Sequence, residues 1–359
     1  MDALCQTLVA SALLGAGRIG RPRLASPGQR LTSASPLMKM VPMLVRRRRP
    51  LVVIGCLLAL VVTAGCTSAR PAERSTGSSG RLAIVAAFYP LQFVAQRVAG
   101  EHATVANLTQ PGAEPHDLEL TARQVASLTT ARLVIYEKGF QPAVDEAVAQ
   151  SENPEVIDTT TAVPLRPPEA TGDDLGRQGG AGGDHAALDP HVWLDPTAVS
   201  RIARAVEQRL LIIDPAHAAD YARNAGALQQ DLRRLDRSFR SGLRHCVRTE
   251  FITTHAAFGY LAESYHLTQI GISGVSPDAE PSAARIAEVQ RVAREYRLTT
   301  IFSETLVSPA LAQAIAGDLG LRTDVLDPIE GVTDQSRGND YFSIMASNLT
   351  ALRKAGGCS

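Results

Sequence analysis

Short apolar runs alternate with amphipathic stretches along most of this 359-residue chain. LAIVAAF at 82–88 is unbroken in hydrophobicity and predicts a buried strand. PLQFVAQRVAG at 90–100 has its apolar residues at helical spacing and ends on Gly100, so it predicts a helix. ATVANLT at 103–109 reads as a strand, PGAEPHD as a loop, LTARQVASLTTA as a helix opened by Thr121, and RLVIYEKG as a further strand. The alternation resumes with EFITTH at 250–255, followed by the helical patterns AAFGYLAESYH and AARIAEVQRVAREYR. The strand TTIFSE, the helix SPALAQAIAGDLG, the strand TDVLDP and a terminal helix YFSIMASNLTALRKA complete it. Strands alternating with helices imply parallel sheets covered by helices. Two α/β lobes are expected, 81–195 and 244–359.

Between the lobes the pattern changes twice. Residues 164–187, PLRPPEATGDDLGRQGGAGGDHAA, are rich in Pro, Gly and Asp and predict a surface loop. Residues 196–243 are helical in pattern, with a possible break at IIDPAH, and are long for one ordinary helix. A connector running between two lobes fits that length.

The N-terminal end obeys a different rule. RRRRP at 46–50 precedes the fifteen-residue apolar run LVVIGCLLALVVTAG and then Cys66, the pattern of a secretory signal peptide. Thr63, Ala64 and Gly65 before Cys66 resemble a bacterial lipobox, with Thr63 where Leu is commonest. A lipidated Cys66 at the mature N-terminus is expected, followed by a flexible tether over 66–80. Residues 1–37 fit neither signal and read as an upstream extension. Of 36 basic and 36 acidic residues, nine basic and one acidic precede Cys66, leaving 27 basic and 35 acidic. An acidic body with only 4% aromatics argues against nucleic acid and is compatible with a cation as ligand. Once the leader and Cys66 are set aside, Cys246 and Cys358 remain in an oxidising compartment. They are expected to pair, fastening the C-terminal tail to the start of a strand.

The eight histidines differ in setting. His102, His217, His245 and His266 lie in polar, helical or loop surroundings. His116 follows a strand and PGAEP, His191 stands between two Asp-Pro pairs in LDPHVWLDP, and His255 ends the strand FITT. Ligands of open α/β sheets bind beyond the carboxyl ends of strands, where such loops converge. Three neutral imidazoles with a carboxylate suit tetrahedral zinc. No HExxH or CxxC pattern is present.

The stretches FYPLQFVAQRVAG, PGAEPHDLELTARQVASL, LDPHVWLDP, FITTHAAFGYLAESY, GVSPDAEPSAARI, TIFSETLVSP and VLDPIEG occur in this order over about 275 residues. In this the chain resembles the metal-specific substrate-binding proteins of bacterial ABC importers, the zinc/manganese (ZnuA/TroA-like) solute-binding family. The resemblance implies two pseudo-symmetric lobes, each a mainly parallel sheet flanked by helices, bridged by a long rigid helix with one metal between them. It assigns metal ligation to His116, His191, His255 and Asp327, and leaves Asp189 and Asp195 as turn-former and helix cap.

Manganese-carrying members usually have Glu where this chain has His255, so Zn²⁺ is expected over Mn²⁺ or iron. Many zinc-specific relatives carry a His-rich loop, where this chain offers only His185 with Asp173, Asp174 and Asp184. Glu304 is either a partner behind a ligating His or a cap on the helix after Thr305 and Ser308. Glu114 could compete for a coordination position. A monomeric, non-enzymatic, lipid-anchored extracytoplasmic receptor serving an ABC permease, and indirectly its ATPase, is the expectation. A secreted zinc hydrolase with Glu304 as base, and a metal-dependent surface adhesin, are the alternatives.

Overall fold

The computed structural model describes residues 80–167 and 188–359. The leader, Cys66, the tether to residue 79, and Asp173, Asp174, Asp184 and His185 lie outside the described residues. The described body falls within one compact unit, Glu73–Ser359. Among the described residues no helix is long and apolar enough to cross a membrane.

The N-terminal lobe runs β1 (Leu82–Ala86), α1 (Tyr89–Ala99), β2 (Ala103–Asn107), α2 (Ala122–Thr130), β3 (Leu133–Tyr136), α3 (Pro142–Ser151) and β4 (Val156–Asp158). Its strands are all parallel, in the order β2-β1-β3-β4, with Ile84 opposite Val105 on one side and Leu133 on the other. Ile84, Val85 and Ala86 are buried, which is why β1 reads as an unbroken apolar run. Gly100 closes α1 at φ +59, a conformation a side chain would resist. Thr121 opens α2 through a reciprocal capping box with Gln124.

The C-terminal lobe repeats the plan. It comprises β5 (Glu250–Thr253), α6 (Gly259–Ser264), β6 (Thr268–Gly271), α7 (Ala283–Glu295), β7 (Thr300–Ser303), α8 (Ala310–Leu319), β8 (Arg322–Val325) and α9 (Tyr341–Gly356). Between the two lobes lie α4 (Pro196–Ile213) and α5 (Ala218–Leu243). The strand order β6-β5-β7-β8, again all parallel, matches the first lobe strand for strand.

The segment expected to link the lobes is a pair of helices. The break falls at Asp214–His217, where Pro215 starts a short 3-10 turn. α4, capped by Asp195 accepting from the Thr197 N–H at 2.8 Å, packs along α5 and against α1. α5 alone is the connector: it touches α1 of the first lobe and α9 of the second. Its 26 residues span about 39 Å. Tyr221, Ala225, Leu228, Leu232, Leu235, Phe239 and Leu243 make its buried stripe.

One apolar core runs from the first sheet through α4 and α5 into Phe258, Leu261, Tyr341 and Met345 of the second lobe. Phe93 stacks on Tyr341 at 5.3 Å across the lobes. A smaller core, with Ile252, Val289, Ile301 and Ile315, fills the far face of the second sheet.

Cys246 and Cys358 are bonded to each other across 112 residues of sequence. Backbone bonds from Val247 N–H to Gly356 C=O and from Ser359 N–H to His245 C=O flank the bridge. Closing so long a loop restricts the unfolded chain. Cys246→Ser/Cys358→Ser should therefore lower unfolding stability by about 2–4 kcal/mol in denaturant titration. A loss below about 0.5 kcal/mol would mean that the tail is held by α9 packing alone.

Candidate metal centre

Every candidate side chain sits beyond the carboxyl end of a strand or at the mouth between the lobes. His116 comes from the loop after β2, His255 and Glu304 from the ends of β5 and β7, and Glu330 from the chain that leaves β8. His191 stands in the segment just before α4.

His191 is fully buried and fixed from both sides. Asp189 Oδ1 accepts the His191 backbone N–H at 3.0 Å and lies 2.8 Å from Nδ1, so Nδ1 carries the proton and Nε2 is left as donor to an ion. Trp193 packs edge-on against Phe88, and its indole N–H donates to Pro328 C=O at 2.7 Å. The Trp193 carbonyl in turn accepts from the Tyr341 hydroxyl at 2.8 Å. The rigid frame around His191 is thereby tied to the loop that carries Glu330.

His255 is backed by Glu304, chiefly through its backbone N–H. Glu304 Oε1 accepts the His255 backbone N–H at 3.1 Å and lies 2.7 Å from Nδ1, while the Thr254 hydroxyl also donates to it. Of the two roles open to Glu304, the partner behind a ligating imidazole is the one its contacts fit. α8 has no side-chain cap bond at Pro309, and Ser308 Oγ accepts from Ala310 N–H. His116 is placed by Glu114, whose Oε1 accepts the His116 N–H at 3.1 Å, and by Gln141, which donates to Pro115 C=O. Glu114 itself lies outside the group of converging donors.

The fourth donor is Glu330, which the sequence reading missed. His116, His191, His255 and Glu330 bring one donor atom each within 4.8 Å of one another. Glu330 Oε1 is 3.2 Å from His191 Nε2, 3.4 Å from His255 Nε2 and 3.5 Å from His116 Nε2. The two Nε2 atoms of His191 and His255 are 3.3 Å apart. Four donors at about 2.0–2.1 Å from a tetrahedral zinc stand about 3.3–3.4 Å from each other, so these separations are those of a zinc shell. Both Glu330 oxygens and His116 Nε2 are buried without a hydrogen-bond partner, which is costly unless a cation lies between them.

Asp327, expected as the fourth ligand, is not in this group. Its Oδ1 accepts the Ile329 N–H at 2.8 Å, and its own N–H and C=O are tied to Asn348 of α9 at 2.9 and 2.7 Å. That turn carries Ile329 through φ +59, a left-handed conformation that a β-branched residue adopts only under constraint. The next residue, Glu330, is thereby aimed at the imidazoles. The signal was available: Asp-Pro at 189–190 and 195–196 makes turns or caps, and Asp327-Pro328 does the same.

Charge within the site is matched. Burial alone would raise the Glu330 carboxyl, but the surrounding imidazoles of His116, His191 and His255 hold it well below its ordinary value. Burial opposes protonation of His255, yet Glu304 and Glu330 outweigh it and raise this imidazole well above 6.5. His191 is also raised, by Asp189 and Glu330 against burial, whereas burial keeps His116 low. Burial and the nearby Glu330 push the Glu114 carboxyl up to about 8.

Asp189 and Glu304 stand outside the group of four converging donors, so their roles are separable from ligation. Asp189→Ala and Glu304→Ala should each weaken zinc binding by about 10- to 100-fold in chelator competition. Parental affinity in both would show that the imidazoles need no such partners.

Residues 84–355 match the family described as zinc-uptake complex component A, periplasmic (ZnuA). The chain is 35% identical over 313 residues to the zinc-binding lipoprotein AdcA of Streptococcus pneumoniae, covering 84% of this chain and 60% of that protein. It is 30% identical over 309 residues to the high-affinity zinc uptake system protein ZnuA of Bacillus subtilis, covering 84% and 96%. The Zn(II)-bound ZnuA-like domain of S. pneumoniae AdcA superposes with a TM-score of 0.65 at 34% identity, over 77% of this chain and 99% of that domain.

Proposed function

The chain belongs to the ZnuA family, and on that premise we propose that it is an extracytoplasmic receptor that captures Zn²⁺ for delivery to an ABC permease and, through it, to the permease's ATPase. The observation that carries this reading is the set of four donors, three imidazoles and one carboxylate, brought within 4.8 Å of one another. Three nitrogens to one oxygen favour zinc over the harder manganese. The similarity to zinc-binding AdcA and to zinc-uptake ZnuA supports the same cargo.

Catalytic zinc keeps a position for water, whereas four protein donors close the shell. Glu304, the base that reading would use, is spent on His255. The hydrolase reading therefore loses to that of a binding protein. Cys66 would carry the lipid that anchors the receptor, with the following residues as its tether, and the receptor would act as a monomer.

Native mass spectrometry of the mature chain with competing zinc and manganese tests the cargo. One zinc per chain, displaced by manganese only in large excess, is the expected result. Retained zinc in a His116→Ala/His191→Ala/His255→Ala variant would refute the site.

A further inference from the structure

Asp189, the residue that aims His191, is itself gripped by one residue of its own lobe, Arg166, and one of the opposite lobe, Tyr260. Its backbone N–H donates to Arg166 C=O at 2.8 Å, and its C=O accepts from the Tyr260 hydroxyl at 2.9 Å. The same hydroxyl accepts from Arg166 N–H at 3.1 Å, and the Arg166 guanidinium lies 4.0 Å from the centre of the Tyr260 ring. The Asp189 carboxylate has one oxygen on His191. Its other oxygen faces Gly259, where an added Cβ would stand only 2.8 Å from Oδ2 and 3.7 Å from Arg166 Nη2.

Gly259 is not at positive φ, so its backbone does not require glycine. It opens α6, where alanine would form helix more readily. Space is what excludes a side chain there. The carboxylate is planar, so pushing Oδ2 aside rotates Oδ1 away from Nδ1 of His191.

We propose that Gly259 and Tyr260 are positioning residues for zinc capture: the bare Cα of one and the hydroxyl of the other fix the Asp189 carboxylate so that His191 Nε2 points at the ion. Both lie within five residues of His255 in sequence. One short segment of the second lobe thus supplies one ligand and aims another. This inference rests on the reading of the site as a zinc site.

The test compares the mature protein with Gly259→Ala, Tyr260→Phe and Asp189→Ala, alone and combined. Gly259→Ala should weaken zinc binding by about 10- to 100-fold and Tyr260→Phe by about two- to tenfold. The visible bands of Co²⁺-loaded Gly259→Ala should shift, a change that loss of stability alone does not produce. In the Asp189→Ala background, adding Gly259→Ala should cost less than about twofold, because its route to the ion is already cut. Parental affinity in Gly259→Ala, or an equal loss with and without Asp189, overturns the proposal. If Gly259→Ala does not fold, Tyr260→Phe decides, and parental affinity there overturns it. A parent chain that binds no zinc would instead refute the zinc reading itself.

Discussion

Glu330→Gln should weaken zinc binding by about a thousandfold or more, while Asp327→Asn stays within about tenfold of the parent. Residues that only orient a ligand are worth about 10- to 100-fold, and removing a charged donor must exceed that. Gln keeps the shape of Glu330 but offers the ion no negative charge, in a fully buried site where solvent does not compensate. Asn at 327 keeps the acceptor oxygen that receives the Ile329 N–H, so the turn that aims Glu330 survives. Competition against a chelator of known affinity reads both variants. If Asp327→Asn lost as much as Glu330→Gln, the assignment of the fourth donor would be wrong.

Zinc capture should also release protons, and affinity should fall steeply as the solution is acidified. In the ion-free protein, neighbouring carboxylates hold His191 and His255 above their ordinary pKa. His116 is held below its ordinary value and Glu330 is already ionised. An incoming ion therefore displaces protons from His191 and His255 and from neither of the other donors. Affinity should begin to fall above the usual His value of about 6.5, approaching a hundredfold per pH unit where both imidazoles are protonated. Calorimetry in buffers of different ionisation enthalpy counts those protons, and a count near zero at neutral pH would sink the argument.

The stability of the ion-free protein follows the same groups. The two raised imidazoles contribute stability that is fully present below their unfolded value and lost as pH rises through their folded values. Glu330, depressed on folding, contributes above the unfolded carboxylate range and ceases to do so in acid. The thermal shift given by zinc should therefore widen from mildly acid to alkaline pH.

Much of this architecture is legible in the chain because parallel strands buried on both faces announce themselves. β1 is an unbroken apolar run, β5 and β7 carry the buried pairs Phe251-Ile252 and Ile301-Phe302, and the helices are marked by Thr121, Asp195 and Gly100. The elements that were not read are the weakly marked ones. β4 has three residues, and β6 is TQIG, an edge strand with little apolar character and one partner. α3, PAVDEAVAQS, has a diluted apolar face and buries only Val144 and Ala147.

The three histidines were legible because each follows a strand or an Asp-Pro turn. Glu330 was not, because what points it inward is the left-handed backbone at Ile329. Such geometry leaves no mark in hydrophobic pattern, and Ile is an unlikely residue to bear it.

The four donors differ in what they show to the outside. The side chains of His191, His255 and Glu330 have no exposed surface, while His116 keeps 10%. Behind them stands the apolar wall of Phe88, Phe140 and Trp193, continuous with the core that both lobes share. Among the described residues, His116 is thus the one of the four donors whose side chain reaches the surface. An ion arriving at that exposed edge would meet this imidazole before the three buried donors.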